Sequence, residues 1–571
     1  VLKKLLRVTE SINIKHVILI ESLLVAAIFV WRVTEVRYNV GVYDTLINTN
    51  LIGTSLLIFV SSVLLFSAVL KGLSKGALLV FFILYFLLSF LAPYIANFPH
   101  YFHRDIYLHL PHSLAIVRMG YTPLYADRWD ISSFPGAFLL YSIIMEVTGM
   151  DSVNVVGVLM AVNYSIALII IIMFFVNVVH KTWRIDKNFI LMMMVLLLPF
   201  IARYAPRPEF PFRFHLAFIQ TLLYLALFIA LTRSSNTRIS TVVCLTLIYM
   251  SIVFTHPFFS LYIFIASLTY LTILYVLIPF NIMAPRTRSA ITLTIVSVII
   301  VLLVHISYVV ATPFLRETYS LMLRYEEIPK FFESSIPISI ESQDIAIQSF
   351  ATIIRFLWRA TVFMIVSYVT ILVLMTLIQK RIPILGISLG IAAFITTIPL
   401  ILSFLWLERS LTFVGIALII AGYETLHILS ERSLSRNLLT ILVKILPIIT
   451  ALSIMTSSLI TWEGSRFVDE WHGVENEIFL KTVAYKVSSP YTYFGVYSNI
   501  EFTYHKILNN VITLNKNIFD HIRHVFYENL CNLSYPYAVS QKDPDYRFLD
   551  IKELSNCRDI VWSSGISYIF R

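Results

Sequence analysis

Charge is what this sequence lacks most. Only 13% of its 571 residues are Asp, Glu, Lys or Arg, about half the usual ~25% of soluble domains. That excludes an ordinary water-soluble enzyme. Cysteine is nearly absent: Cys244, Cys531 and Cys557 cannot staple a chain of this size, and no C-x-x-C spacing marks a zinc or redox centre. Sixteen glycines leave little material for phosphate-cradling loops, and neither G-x-x-x-x-G-K-[ST] nor G-x-G-x-x-G occurs. What the chain has in quantity is apolar surface, 58% of its residues, with 14% aromatic. This is the composition of a polytopic membrane protein.

A spanning helix needs about 20 mostly apolar residues, because the hydrocarbon core is about 30 Å thick and each residue rises about 1.5 Å. Runs of that kind lie near 14–31, 51–70, 77–95, 153–179, 188–202, 214–231, 240–255, 258–280, 290–312, 350–378, 384–407, 411–429 and 438–461. The fold class expected is therefore an all-α polytopic membrane protein of about 13 spans. No A-x-A-like cleavage site follows the first run, which reads as a retained span. A further apolar stretch, 134–148, is too short to cross and reads as lying along the outer face.

The positive-inside rule sets the sidedness. With Lys3, Lys4, Arg7 and Lys15 in the cytoplasm, the inward connectors carry Lys71/Lys75, Lys181/Arg184/Lys187, Arg233/Arg238, Arg286/Arg288, Lys380/Arg381 and Arg432/Arg436. The net charge of +10 thus belongs to the inner membrane surface, with no nucleic-acid partner implied. The protein is expected in the cell membrane, N-terminus in and C-terminus out. Three parts follow: an N-terminal pair of spans (1–76), a main membrane domain (77–461) with outer loops at 99–152 and 314–349, and an extracytoplasmic tail (462–571).

The inner connectors are short and offer no nucleotide site, so any chemistry belongs outside. The tail holds 11 Lys/Arg and 13 Asp/Glu. Its β-branched and aromatic segments at 491–497 and 560–570, the second interrupted by Ser563-Ser564-Gly565, predict strands of a small α/β domain. Cys531 and Cys557 both lie there, in an oxidising compartment, where a bridge and a free pair are both open. Cys244 reads as a small core residue.

The first outer loop contains Pro99-His-Tyr-Phe-His103-Arg-Asp105-Ile-Tyr-Leu-His109-Leu-Pro-His112-Ser113. On a helix, Asp105, His109 and His112 fall at i, i+4 and i+7, on one face. A carboxylate with imidazoles at the water boundary suits a general base or a divalent metal site. The competing reading is the solvated side of an interfacial helix. Other outer turns repeat charge at the boundary: Arg203-Tyr-Ala-Pro-Arg207-Pro-Glu209, Thr255-His256-Pro257, and Glu408-Arg409 in a very short hairpin. Arg355 and Arg359 share one face at the outer end of their run. The guanidinium fork suits phosphate, whereas His256 equally suits a helix cap before Pro257.

The order of these motifs resembles the GT-C superfamily of multi-spanning glycosyltransferases, most of all its archaeal branch. The resemblance is carried by Asp105 in the first large outer loop, the helix ending near Gly120, Phe134-Pro-Gly136, Arg203–Glu209, Thr255-His-Pro257, Glu408-Arg409 and the C-terminal Trp562–Arg571. It implies transfer of a sugar from a polyprenyl(dolichyl)-phosphate donor to an acceptor at the outer face, with inversion. Asp105 would be the base, and Arg409, Arg203 and Arg207 would hold the departing phosphate. His103, His109, His112, Glu209, His256 and Glu408 are further candidates, and a divalent metal, if used, would be held by Asp105, His109 and His112. The family pairs acids in the first loop. Here Asp105 stands beside Arg104, with Asp127 and Asp130 further on. Membrane lipid, the lipid-linked donor, an acceptor and a protein partner for 462–571 are the partners implied. Two other readings remain at this point: a flippase or transporter of a lipid-linked sugar, and a non-catalytic assembly subunit.

Overall fold

The computed structural model describes residues 134–149, 153–201, 213–233, 239–277, 288–309, 345–379, 381–402, 407–430 and most of 445–457, five short strands between 491 and 570, and a few single residues near 19–27 and 113–117. Eleven of the described helices are α1 (Gly136–Thr148), α2 (Val153–Trp183), α3 (Lys187–Val195), α4 (Leu198–Ile201), α5 (Arg213–Arg233), α6 (Ile239–Thr255), α7 (Pro257–Leu277), α8 (Arg288–Tyr308), α9 (Ile345–Ile378), α10 (Ile384–Leu402) and α11 (Leu407–Ser430). A further apolar helix occupies Ile445–Ser457. Among the described residues six helices are long and apolar enough to cross a membrane, namely α2, α5, α7, α8, α9 and α11. They fall on runs expected to span. The total of about 13 includes runs outside the described residues.

By backbone contacts the chain divides into two units, Val1–Ala96 with Leu159–Gly464, and Asn97–Val158 with Ser465–Arg571. In the first, α5, α6, α7 and α8 pack on one another, while α11 is surrounded by α3, α4, α9 and α10. Contact between α7 and α10 joins the two groups. Burial follows this plan. The spanning stretch of α11 is 78% buried and that of α5 72%, against 28% for α8 and 33% for α2. The outward faces of α2, α8 and the part of α9 after Arg359 are largely apolar (Ile170, Leu303 and Phe363 are exposed), as lipid requires. Cys244 is likewise exposed on α6, correcting the core reading. Nothing about a small apolar residue in an all-apolar helix tells which side meets protein.

Association between helices that are apolar all round depends on shape and on backbone groups finding partners. Gly386 and Gly422 supply the shape. A side chain at Gly386 would run into the backbone of Ala421, and one at Gly422 into the Met193 side chain. Glu424, 1% exposed in the middle of the protein, accepts a hydrogen bond from the Gly386 N–H at 3.1 Å. That amide is in the first turn of α10, where backbone donors lack intrahelical acceptors and the dipole favours negative charge. Serine and threonine hydroxyls turn back on their own helices, as Thr255 does to Ser251 O (2.7 Å) and Ser388 to Ile384 O (2.7 Å).

The run 188–202, expected as one span, is broken. α3 ends at Val195, Leu196 and Leu197 form a turn, and α4 is a single turn of helix. A break inside apolar surroundings is tolerated when neighbours take up the released carbonyls. Pro199 brings no N–H for Val195 O; past the break, Trp358 Nε1 donates to Pro199 O (2.7 Å) and Thr412 Oγ1 to Phe200 O (3.4 Å), while Tyr423 Oη adds a bond to Ile190 O within α3 (2.6 Å). Close packing needs glycine here too. A Cβ on Gly415 would meet Phe200 Cγ at 2.7 Å and Leu197 Cδ1 at 2.9 Å.

In the second unit, the thirteen residues of α1 rise about 20 Å, short of the ~30 Å core. Gly149 ends it in the left-handed conformation (φ 64°). Strands β1 (Tyr491–Phe494), β2 (Val511–Thr513), β3 (Tyr537–Ser540), β4 (Ile560–Ser563) and β5 (Ser567–Phe570) form one sheet in the order β2-β1-β3-β5-β4. β1 runs parallel to both β2 and β3, whereas β5 is antiparallel to β3 and β4. β1 and the β4–β5 pair occupy segments whose composition predicted strands. Cys531 and Cys557 lie outside the described residues.

Candidate functional site

Several boundary turns read as charged from sequence share one end of the first unit, and the described residues show what holds that end together. Pro257 opens α7 one residue after α6 closes, and brings no N–H of its own. His256 is the single residue between the two helices. Its N–H donates to Ile252 O (2.9 Å), and its carbonyl accepts from Ser260 N–H (3.2 Å). The Thr255 carbonyl accepts from Arg213 Nε, 3.3 Å away on the first residue of α5. The reversal between α6 and α7 is thus tied to α5.

His256 is 8% exposed and enclosed by aromatic rings. Phe214 meets it edge-on at 5.9 Å and Phe259 at 5.4 Å. Phe214 and Phe259 pack together at 4.9 Å, and Phe259 meets Phe413 of α11 at the same separation. Tyr262 lies 4.8 Å from Phe413, ring to ring, and donates to the Phe413 carbonyl (3.3 Å). This aromatic chain runs from the α6–α7 turn to the first turns of α11. His256 is therefore a packed residue of the reversal.

Glu408 and Arg409 were expected in a hairpin between spans. Their backbone instead belongs to the first turn of α11, correcting that expectation. No Gly or Pro separates Leu407 from Leu411, and an acid in the first turn complements the helix dipole. One turn further on are Thr412 and Phe413, with Thr412 bound to Phe200 O. The described chain stops at Ile201 and resumes at Arg213. The flanks of the Arg203–Glu209 segment are thus fixed to α11 on one side, through Phe200, and to the α6–α7 turn on the other, through Arg213. On α9, Arg355 and Arg359 are exposed one turn apart, with buried Trp358 between them bound to Pro199 O.

Asp105, His103, His109, His112, Arg203, Arg207 and Glu209 lie outside the described residues. Ser113, next after His112 in sequence, is fully buried; its carbonyl accepts from Ser142 Oγ of α1 at 3.0 Å. Among the described residues no three His, Cys, Asp or Glu side chains converge as metal ligands would.

Arg213 and the fully buried His215 were passed over in the sequence because they open an apolar run. The available signal was their place directly after the Pro-rich Arg203–Pro211 stretch.

No protein-family model matches the sequence, and no curated protein matches it. Solved structures do match. The Archaeoglobus fulgidus oligosaccharyltransferase, in complex with Zn and sulfate, superposes with a TM-score of 0.51 at 13% identity, covering 86% of this chain and 72% of that one. The same protein tethered to an acceptor peptide containing the NVT sequon gives 0.46 at 10% identity, covering 87% and 74%. The first likeness extends over 86% of this chain, which therefore shares the fold of that oligosaccharyltransferase.

Proposed function

We propose that the protein is a membrane glycosyltransferase that moves a sugar from a polyprenyl-phosphate donor to an acceptor at the outer face. The observation that supports this best is the fold likeness over 86% of the chain. It is joined by the fixing of the Arg203–Glu209 flanks, the α6–α7 turn and the start of α11 at one end of the same unit. Asp105 takes the proton from the acceptor as its nucleophilic atom bonds to the anomeric carbon. The bond from that carbon to the phosphate oxygen breaks, and the sugar is transferred with inversion. Negative charge grows on the departing polyprenyl phosphate. Arg409, with Arg203 and Arg207, stabilises it as a guanidinium does any phosphate oxyanion. A lipid-linked donor carries its own leaving group, so no nucleotide is required.

The test is donor consumption by the purified full chain in lipid, using a radiolabelled polyprenyl-phosphate sugar and a membrane extract as acceptor. Asp105→Asn should slow transfer by about 100- to 10,000-fold, the range for losing a general base, with insertion and elution unchanged. Full activity in that variant would remove Asp105 from the chemistry. Wild-type chain inert toward every polyprenyl-phosphate sugar would remove the proposal itself.

A further inference from the structure

The pair Arg355 and Arg359 is placed by arithmetic along α9. Counted back from its end at Ile378, a hydrocarbon core of about 30 Å takes about 20 residues, which reaches Arg359. Arg355 is one turn, about 6 Å, beyond it. Both are exposed, as are Phe356 (68%) and Phe363 (71%) at i−3 and i+4 from Arg359. Phe363, inside the core by this count, marks this side of α9 as facing lipid. Two guanidinium groups at i and i+4 on a lipid-facing helix, at the depth where hydrocarbon gives way to headgroups, meet phosphate oxygens. Between them Trp358 (5% exposed) points the other way and donates to Pro199 O at 2.7 Å. Pro199 is four residues ahead of Arg203. The helix carrying the pair is therefore locked to the base of the segment carrying Arg203 and Arg207.

We infer that Arg355 and Arg359 form a binding site for the phosphate group of a lipid in the adjoining leaflet. The site rests on and deepens the glycosyltransferase reading, because the helix that carries it is bonded through Trp358 to Pro199, four residues before Arg203 in sequence. Two lipids carry the required chemistry, a polyprenyl monophosphate and an anionic phospholipid. The guanidinium fork recognises both through paired N–H···O bonds.

The experiment reads binding, not transfer, so it stands or falls separately from the activity. Full-length protein in phosphatidylcholine nanodiscs is titrated with polyprenyl monophosphate, with phosphatidylglycerol and with the uncharged polyprenol, and bound lipid is counted by native mass spectrometry. The double variant Arg355→Ala/Arg359→Ala should bind polyprenyl monophosphate about tenfold more weakly or worse, with polyprenol binding unchanged. The double lysine variant should recover part of the loss, since it keeps charge but not the fork. If phosphatidylglycerol falls equally, the site takes lipid phosphate in general; if it does not, the polyprenyl phosphate is selected. Either result upholds the site. Equal affinity of wild type and alanine variant for both phosphorylated lipids overturns it, as would an equal loss for polyprenol.

Discussion

Replacing Gly386 and Gly390 by alanine, separately, should have opposite effects, although the two are one turn apart on α10. A Cβ at Gly386 would come to 3.0 Å from Ala421 N and closer still to its Cα, where apolar contacts settle at about 3.5–4.0 Å. The obstacle is backbone, so no rotamer change relieves it. α10 and α11 must part by about 1 Å, an overpacking cost of about 1–3 kcal/mol. Parting them also stretches the Gly386 N–H···Glu424 bond, now 3.1 Å, and weakens a hydrogen bond worth about 0.5–1.5 kcal/mol. The expected loss is about 1.5–4.5 kcal/mol. At Gly390 a Cβ meets nothing within 4 Å, and the lower backbone entropy of alanine should stabilise by about 0.5–1 kcal/mol. Denaturation in detergent followed by circular dichroism would read both. A companion Ala421→Gly change should rescue Gly386→Ala only in part, because it removes one of three colliding atoms. Equal losses at the two glycines, or a neutral Gly386→Ala, would refute the reasoning from close helix approach.

Trp358→Phe keeps the ring but leaves Pro199 O without its 2.7 Å donor. It should cost about 1–3 kcal/mol and raise the donor KM more than it lowers kcat; unchanged stability and kinetics would detach α9 from the site. Cysteines introduced at Ser433 and Ser564 should differ in reaction with a membrane-impermeant reagent on intact cells, Ser564→Cys labelling and Ser433→Cys not. The reverse pattern would invert the topology argued from the basic loops.

Much of the membrane architecture was legible because hydrophobic length is a one-dimensional property. The low charge and the apolar runs located α2 and α5 to α11, and the shortness of 134–148 set α1 apart from the spans. The Pro after His256 marked the α6–α7 reversal. In Asn188–Ala202 the local sign of the turn at Leu196 and Leu197 was Pro199, which has no N–H for Val195 O. What could not be read there were the donors that steady the broken segment, Trp358, Thr412 and Tyr423, between 159 and 233 residues away in sequence. Glu408 and Arg409 looked like a hairpin because charge between apolar runs usually marks one, yet the helix extends through them.

By itself, then, the sequence determined the solvent of this protein, the lengths of its helices and the chemical types available at its boundaries. These follow from composition and rise per residue, which need no partner. Which helix meets which was decided only in three dimensions. Helices that are apolar on every side carry no periodic signal of a buried face. Glycine against alanine, a carboxylate against an amide, and side-chain donors reaching the carbonyls of a broken helix select the pairing, and each contact joins residues far apart along the chain.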